Sequence, residues 1–310
     1  MYIAQALKYQ SDFWRYIIGS IVVIFANFVA QVPFVIALII KDQNILNRMD
    51  VNTMMTTLDS NLTLLLLMIP FAVSLVALYF VVKYLHQQPF KTITTTRKKT
   101  DWNRIFFSFF LWGVITAIFT FADYYTNPTD YEWNFDLVPF LILFVLAIIL
   151  IPIQTSLEEY LFRGYLMQGF GVLFKNRWLP LLFTSLIFGG LHIANPEVDK
   201  IGYVIMVFYI GTGLFLGIMT LMDEGMELAL GFHAANNLVA ALLVTADWTA
   251  FQTNSVLKDI SDPSAGWDIM IPVFVVFPIL LFIMAKKYKW SNWKEKLFGV
   301  IQEENETNKI

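Results

Sequence analysis

Long apolar stretches separated by short polar segments run along almost the whole chain. A transmembrane helix needs about 20 mostly apolar residues to cross roughly 30 Å of hydrocarbon. The apolar stretches predict membrane-spanning helices at residues 16–40, 62–82, 105–122, 137–154, 179–193, 201–222, 226–245 and 270–285. The pattern therefore predicts an all-α fold, a polytopic membrane protein with about eight transmembrane helices.

Basic residues are concentrated in three of the segments outside these helices. They lie at 83–104, 175–177 and 286–296, whereas the segment 123–136 carries only acidic charges. Cytoplasmic loops hold the excess of basic residues, and eight helices place the three basic segments on one side. We therefore predict a multi-pass protein of the cell membrane with both termini in the cytoplasm. The acidic turn 223–225 would also be cytoplasmic, although it has no basic residue.

Composition narrows the class of protein further. Of the 310 residues, 57% are hydrophobic and 15% are charged. A soluble domain carries roughly a quarter charged residues, so this composition excludes a water-facing globular domain. The formal net charge of -3 gives no basic excess that would attract nucleic acid. Because the chain has no cysteine, a disulfide framework, a thiolate nucleophile and a cysteine-ligated zinc site are also excluded.

The first polar cluster at membrane depth is formed by Glu158, Glu159 and Arg163. An ionisable residue at this depth costs about 2.5 to 3.5 kcal/mol, so it marks a functional position by default. On a helix Glu159 and Arg163 share a face and can form an ion pair. Glu158 projects about 100° away and is left free for chemistry. The alternative is a helix end at the cytoplasmic interface whose carboxylates are only solvated.

The second cluster contains Phe188 and His192, which share one helix face, and the glycines 189 and 190 between them. Two adjacent glycines cost roughly 2 kcal/mol of helix propensity, so close helix packing or ligand approach is expected to compensate. The alternative is a structural histidine whose hydrogen bonds are satisfied. The remaining histidine outside the clusters, His86, lies in a basic segment and is expected to be solvated.

The third cluster places His233, Asn236 and Asn237 on one helix, three and four residues apart. Hydrogen bonding between helices is the structural alternative for these side chains. Taken together, the three clusters favour hydrolysis. Glu158 can take a proton from water as general base, while imidazole and amide N–H groups stabilise the oxyanion of a tetrahedral intermediate.

The three clusters resemble the motifs of the CPBP family of intramembrane proteases, which includes the CAAX prenyl endopeptidases and the bacterial Abi proteins. That family is marked by Glu-Glu-x-x-x-Arg, Phe-x-x-x-His and His-x-x-x-Asn or Asp, each on its own membrane helix. All three motifs are present here in the family's order. The resemblance implies that Glu158 and His192 activate water, that His233 and Asn237 hold the oxyanion, and that Glu159 and Arg163 organise the site.

The resemblance also implies the kind of substrate. Together with the apolar pattern, it divides the chain into the segments given below. We expect a membrane-associated peptide or protein as substrate and the lipid bilayer as a further partner. The alternative is a non-catalytic scaffold or regulator of a membrane partner that uses the same fold. The segments are a cytoplasmic N-terminal segment 1–15, accessory helices 16–136, the catalytic core 137–245, an external loop with the last helix 246–285, and a basic segment with a polar tail 286–310. The tail, from residue 302, is expected to be disordered.

No cofactor is expected to be required. A metal-dependent mechanism remains an alternative. Glu158, His192 and His233 could supply the three protein ligands that a catalytic zinc takes. The sequence lacks the His-Glu-x-x-His helix of many zinc proteases. A metal-free mechanism is therefore the prediction.

Overall fold

The structure is a computed structural model that describes residues 1–47, 50–263 and 266–302. The remainder of the expected polar tail, residues 303–310, lies outside the described residues. The α-helices are α1 Phe13–Ala30, α2 Val32–Lys41, α3 Val51–Thr56, α4 Ser60–Phe80, α5 Lys91–Thr94, α6 Trp102–Thr126, α7 Leu137–Glu159, α8 Met167–Phe174, α9 Trp178–Leu191, α10 Pro196–Ile201, α11 Met206–Asp223, α12 Glu227–Leu243, α13 Trp267–Ile271, α14 Phe277–Tyr288 and α15 Trp293–Phe298.

The predicted all-α membrane fold is confirmed. Within the described residues, six helical segments are long and apolar enough to cross a membrane: Phe13–Lys41, Ser60–Leu85, Trp102–Thr126, Leu137–Phe174, Tyr203–Asp223 and Ile269–Tyr288. Two shorter apolar helices, Trp178–Ala194 and Glu227–Leu243, occupy the positions of the fifth and seventh predicted spans. Each of the eight predicted stretches therefore corresponds to a helix.

Three short strands form a small sheet that the apolar pattern does not predict. They are β1 Tyr131–Trp133, β2 Val244–Ala246 and β3 Leu257–Asp259. The order is β1-β3-β2, with β3 antiparallel to β1 and parallel to β2. Strands of three residues are too short to show an alternating pattern in the sequence. This sheet joins the segments after α6 and α12, and we call this end of the helix bundle the sheet end.

The opposite end, which we call the terminal end, holds the first residues of the chain, the last described residues around Ile301 and the three basic segments. Arg97 pairs with Asp223 and Glu227, and Arg104 pairs with Asp223 as well. The indole of Trp290 donates to the same aspartate. The acidic turn therefore has its basic partners in the segment before α6 and in the first turn of α6, which explains why the turn itself contains no lysine or arginine. The basic segments share one end, while its cytoplasmic placement stays a prediction.

The expectation that His86 is solvated is wrong. Its side chain is only 1% exposed. Its Nδ1 lies 2.7 Å from the carbonyl oxygen of Gln10, and its Nε2 lies 2.9 Å from the hydroxyl of Tyr165. The basic segment around it does not leave the surface open here, because Tyr16 packs against the imidazole with the ring centroids 4.4 Å apart. His86 is a buried residue. It links Gln10, in the segment before α1, to Tyr165, in the segment between α7 and α8.

Helix packing brings α7, α9 and α12 around the polar clusters. α12 packs on α6 and α7, while α9 packs on α8 and α11. A Cβ atom added to Gly213 of α11 would lie 2.9 Å from the Cα atom of Ser185, so glycine permits close approach to α9. Gly189 packs equally closely against Ile210, whereas nothing lies within 4 Å of a Cβ atom at Gly190. Close packing therefore explains the first of the two adjacent glycines and not the second.

Candidate active site

The first polar cluster lies where α7 passes into a π-helical segment, Tyr160–Leu166. Glu158 and Glu159 are the last two residues of α7, and Arg163 lies within the π-helical segment. π-Helical turns inside α-helices occur frequently at functional sites. The predicted ion pair is confirmed, because Nη1 of Arg163 donates to Oε1 of Glu159 at 2.9 Å.

His233 connects this ion pair to the remaining carboxylate. Its Nδ1 lies 2.7 Å from Oε1 of Glu159, and its Nε2 lies 3.4 Å from Oε2 of Glu158. Because an ionised carboxylate only accepts hydrogen bonds, Nδ1 of His233 carries a hydrogen in this arrangement. The two ring nitrogens of one imidazole therefore face two adjacent carboxylates.

Burial separates the two glutamates. Glu159 and Arg163 are 0% and 1% exposed, whereas the side chain of Glu158 is 17% exposed. The aromatic ring of Phe188 covers the Arg163 guanidinium, with Cζ 4.3 Å from the ring centroid. Glu159 has a cationic partner in a closed environment, and Glu158 remains the more accessible carboxylate.

An amide chain extends from Glu158 to α12. Nε2 of Gln154 donates to Oε1 of Glu158 at 2.6 Å, and Nδ2 of Asn237 donates to Oε1 of Gln154 at 3.1 Å. Asn236 is turned to a different neighbour, because its Oδ1 accepts from the indole of Trp112. Of the two adjacent asparagines, Asn237 is the one linked to Glu158.

His192 lies at the end of α9. Among the described residues, the ring of Phe188 lies between it and His233. Its Nδ1 donates to the carbonyl oxygen of Phe188 at 2.8 Å, and its ring stacks on Tyr209 with the centroids 4.3 Å apart. The ring of Phe188 also packs against His233. Within the described residues no hydrogen bond joins His192 to Glu158 or His233. The structure thus brings five of the six predicted site residues into one network, with His192 beside it.

Comparison with known proteins identifies the segment that carries these residues. Residues 136–239 match the family described as "Rce1-like: Type II CAAX prenyl endopeptidase Rce1-like". This part of the chain is similar to the Rce1-like family. The match supports the resemblance to the CPBP and Abi proteins. It includes all six predicted site residues, from Glu158 to Asn237.

The chain is also similar to one bacterial protein over most of the length of both chains. The chain is 28% identical over 282 residues to a Bacillus subtilis (strain 168) protein named YyaK and described as uncharacterized. The matched region covers 89% of this chain and 93% of YyaK. No solved structure matches the chain. The similarity to YyaK therefore extends beyond the Rce1-like segment to the helices that precede and follow it.

Two residues of the Rce1-like segment near the site are not identified by the sequence reasoning. Gln154 bridges Glu158 and Asn237, and Tyr209 stacks on His192. Gln154 lies four residues before Glu158 on α7, so the helical period is a signal that would find it. Tyr209 is one aromatic residue among many in the chain, and no spacing distinguishes it.

The grouping of the possible metal ligands bears on the alternative of a zinc site. Among the described residues, no three histidine, aspartate or glutamate side chains are grouped so that they could hold a metal ion. Both nitrogens of His233 face carboxylates, and Glu159 already has Arg163 as its partner. Among the described residues Glu158, His192 and His233 are thus not grouped around one point, and a metal-free mechanism stays a prediction.

Proposed function

We propose that this protein is an intramembrane endopeptidase that hydrolyses a peptide bond of a membrane-associated peptide or protein. The observation that carries the proposal is the position of His233 between Glu158 and Glu159. A structural ion pair requires one carboxylate, and Arg163 already balances it. The second carboxylate, partly exposed and beside an imidazole, is arranged for proton transfer.

Glu158 is the proposed general base. It takes a proton from a water molecule, and the resulting hydroxide attacks the carbonyl carbon of the scissile bond. Nε2 of Gln154 holds Oε1 of Glu158, which leaves Oε2 as the oxygen directed to the reacting groups.

His233 and Asn237 are the proposed donors to the oxyanion. Because Nδ1 of His233 donates to Glu159, Nε2 donates to the oxyanion only when the imidazole carries both hydrogens, the second being the proton that Glu158 takes from water. The Nε2–H then points away from the ion pair, towards Glu158. The side-chain NH₂ of Asn237 lies on the same helix, one turn along. Its hydrogen bond to Gln154 would be exchanged for one to the substrate oxygen. Preorganised donors of this kind stabilise developing charge in a site from which water is excluded.

Glu159, Arg163 and Phe188 have a positioning role in the proposal. Oε1 of Glu159 accepts from both Arg163 and His233, so it fixes the orientation of the imidazole. Phe188 shields the guanidinium and packs against the rings of His192 and His233. His192, whose Nδ1 donates to the carbonyl oxygen of Phe188, is the proposed partner of Glu158 in activating the water and the proposed proton donor to the leaving amine.

The proposed mechanism uses no metal ion. Elemental analysis of purified active protein, with a chelator titration of its activity, tests this directly. We expect no stoichiometric zinc and no loss of activity on chelation. One zinc per chain, with activity lost on chelation and restored by zinc, would replace the mechanism with one based on a metal-bound hydroxide.

Comparative peptidomics of membranes tests the activity and identifies the substrate in one experiment. Membranes containing the wild-type protein are compared with membranes containing Glu158→Gln or the control Glu132→Gln, which changes an exposed glutamate of β1. We expect peptides that appear with the wild type and the control and disappear with Glu158→Gln. A scaffold or regulator would give the same peptides with all three proteins.

A further inference from the structure

A chain of hydrogen bonds runs from α6 to Glu158. The indole Nε1–H of Trp112 donates to Oδ1 of Asn236 at 3.0 Å, and Nδ2 of Asn236 donates to Oδ1 of Asn237 at 3.1 Å. Nδ2 of Asn237 donates to Oε1 of Gln154, whose Nε2 donates to Oε1 of Glu158. Every bond in the chain therefore runs in the same direction, from the indole to the carboxylate.

The groups at the two ends fix this direction. The indole N–H of Trp112 can only donate, and an ionised Glu158 can only accept. A carboxamide can be turned either way, because its oxygen accepts and its NH₂ group donates, so Asn236 and Asn237 take their orientation from the groups that they contact. Because the indole donates, the oxygen of each asparagine faces the indole end of the chain and the NH₂ group faces the carboxylate end.

Close packing of α6 on α12 holds the indole in place. The side chain of Trp112 is 8% exposed, and its ring stacks on Phe232 with the centroids 4.6 Å apart. Gly231 of α12 permits this approach, because a Cβ atom there would overlap the carbonyl oxygen of Ile105. Packing therefore fixes the position of the indole N–H relative to α12.

The indole end of the chain carries the most weight during the proposed reaction. At that stage Asn237 exchanges its hydrogen bond to Gln154 for one to the oxyanion. The bond that Oδ1 of Asn237 accepts from Asn236 is retained, and it holds the carboxamide in its orientation. A reversed carboxamide would place an oxygen against the oxyanion, and the donor would be lost.

We propose that Trp112 is a positioning residue that acts through Asn236 and holds the NH₂ group of Asn237 towards the oxyanion. The inference rests on the proposed function. Trp112 lies outside residues 136–239, the segment that matches the Rce1-like family. A helix that precedes this segment thus contributes to the orientation of an oxyanion donor.

Two substitutions interrupt the chain of hydrogen bonds at different points. Trp112→Phe removes the indole N–H and keeps an aromatic ring against Phe232. Asn236→Ala removes the carboxamide between the indole and Asn237. The control is Trp102→Phe, which replaces an exposed tryptophan in the first turn of the same helix. Thermal unfolding in detergent shows which variants are folded, and one folded variant is sufficient for the comparison.

NMR spectra of protein with isotopically labelled asparagine test the orientation without any substrate. The side-chain NH₂ signal of Asn237 is identified by its absence from Asn237→Ala. We expect Trp112→Phe to shift this signal and to speed exchange of its hydrogens with solvent by about tenfold, the weight of about one hydrogen bond. Trp102→Phe should leave the signal and its exchange unchanged.

Two NMR results would overturn the proposal. An unchanged side-chain signal of Asn237 in folded Trp112→Phe protein would show that the indole does not orient the carboxamide. An equal increase in exchange at the backbone amide of Asn237 would show that the substitution only loosens α12.

The kinetics of peptide hydrolysis test the effect on the oxyanion. On a substrate identified from membranes, we expect Trp112→Phe to lower kcat by about tenfold and to leave KM unchanged, because the bond to the oxyanion forms only in the transition state. In an Asn237→Ala background the same substitution should have no further effect. A further loss of the same size in that background, or a wild-type kcat for Trp112→Phe, would contradict the proposal.

The NMR and kinetic measurements separate this inference from the proposed function. If the indole orients Asn237 in a protein that cleaves nothing, the proposed function fails and the orientation of the carboxamide by Trp112 stands. If the protein cleaves its substrate and Trp112→Phe cleaves it equally fast, the proposed function stands and the role of Trp112 fails.

Discussion

Nδ1 of His233 lies 2.7 Å from Oε1 of Glu159, and the bond joins α12 to the end of α7. The same oxygen accepts from Arg163. The site therefore depends on one buried glutamate that holds a histidine from another helix and an arginine from the next turn. The orientation of the imidazole towards Glu158 follows from this arrangement.

The ion pair between Glu159 and Arg163 should contribute strongly to stability. We expect Arg163→Ala to lower the free energy of unfolding by about 3 to 5 kcal/mol, because it leaves a buried carboxylate without its cation. Thermal unfolding of the purified protein in detergent measures the loss. Lys258→Ala, which breaks the exposed pair with Asp247, is the control and should cost less than about 1 kcal/mol. If both substitutions lowered the free energy of unfolding equally, the buried pair would contribute no more to stability than the pair at the surface.

The sequence predicts those features of the site that depend on helical spacing alone. Glu159 and Arg163 are four residues apart on one helix, so their pairing follows from the period of the helix. The bond between Glu159 and His233 joins residues 74 positions apart, and spacing along the chain carries no information about it. The sequence predicts that Glu159 and not Glu158 pairs with Arg163, but it does not predict the position of His233 between the two glutamates.

The environment of His86 shows why a charged neighbourhood is a poor guide to exposure. The segment around it is basic, yet the terminal end is covered by the N-terminal residues and by Tyr16 and Tyr165. Burial there depends on how distant segments pack. The short strands at the sheet end are not predicted for a different reason, because three residues are too few to show an alternating pattern.

His86 should make the stability of the protein depend on pH. Burial lowers the pKa of its imidazole below the ordinary value. The unfolded chain therefore binds a proton at a higher pH than the folded chain does, so stability falls as the pH drops below about 6.5. We expect His86→Gln to reduce the loss of thermal stability between pH 7.5 and pH 5.5. An equal loss in the variant and the wild type would contradict the burial of a neutral His86.

The two adjacent glycines of α9 should respond differently to alanine. Gly189→Ala places a Cβ atom 2.5 Å from Cγ1 of Ile210 and 3.1 Å from its backbone nitrogen, so α9 and α11 must separate. Gly190→Ala meets no atom within 4 Å and gains up to about 1 kcal/mol of helix propensity. We expect a lowered melting temperature for the first variant only. Destabilisation by both would mean that Gly190 is also needed for packing.

The orientation in the membrane can be tested with single cysteines, since the chain has none. Arg97 is unsuitable as a labelling position because it pairs with Asp223 and Glu227. Lys99 and Thr129 are exposed at the terminal end and the sheet end. A membrane-impermeant thiol reagent on intact cells should label Thr129→Cys and not Lys99→Cys. Labelling of Lys99→Cys alone would reverse the predicted orientation.

The most direct test of the central claim is the rate of peptide hydrolysis by purified Glu158→Gln protein on a substrate identified from membranes. The amide keeps the size of the side chain and its contact with Gln154 but cannot accept a proton from water. We predict that hydrolysis is lost while the melting temperature stays near that of the wild type and Glu132→Gln keeps the full rate. A folded Glu158→Gln protein that cleaves at the wild-type rate would contradict the assignment of Glu158 as general base.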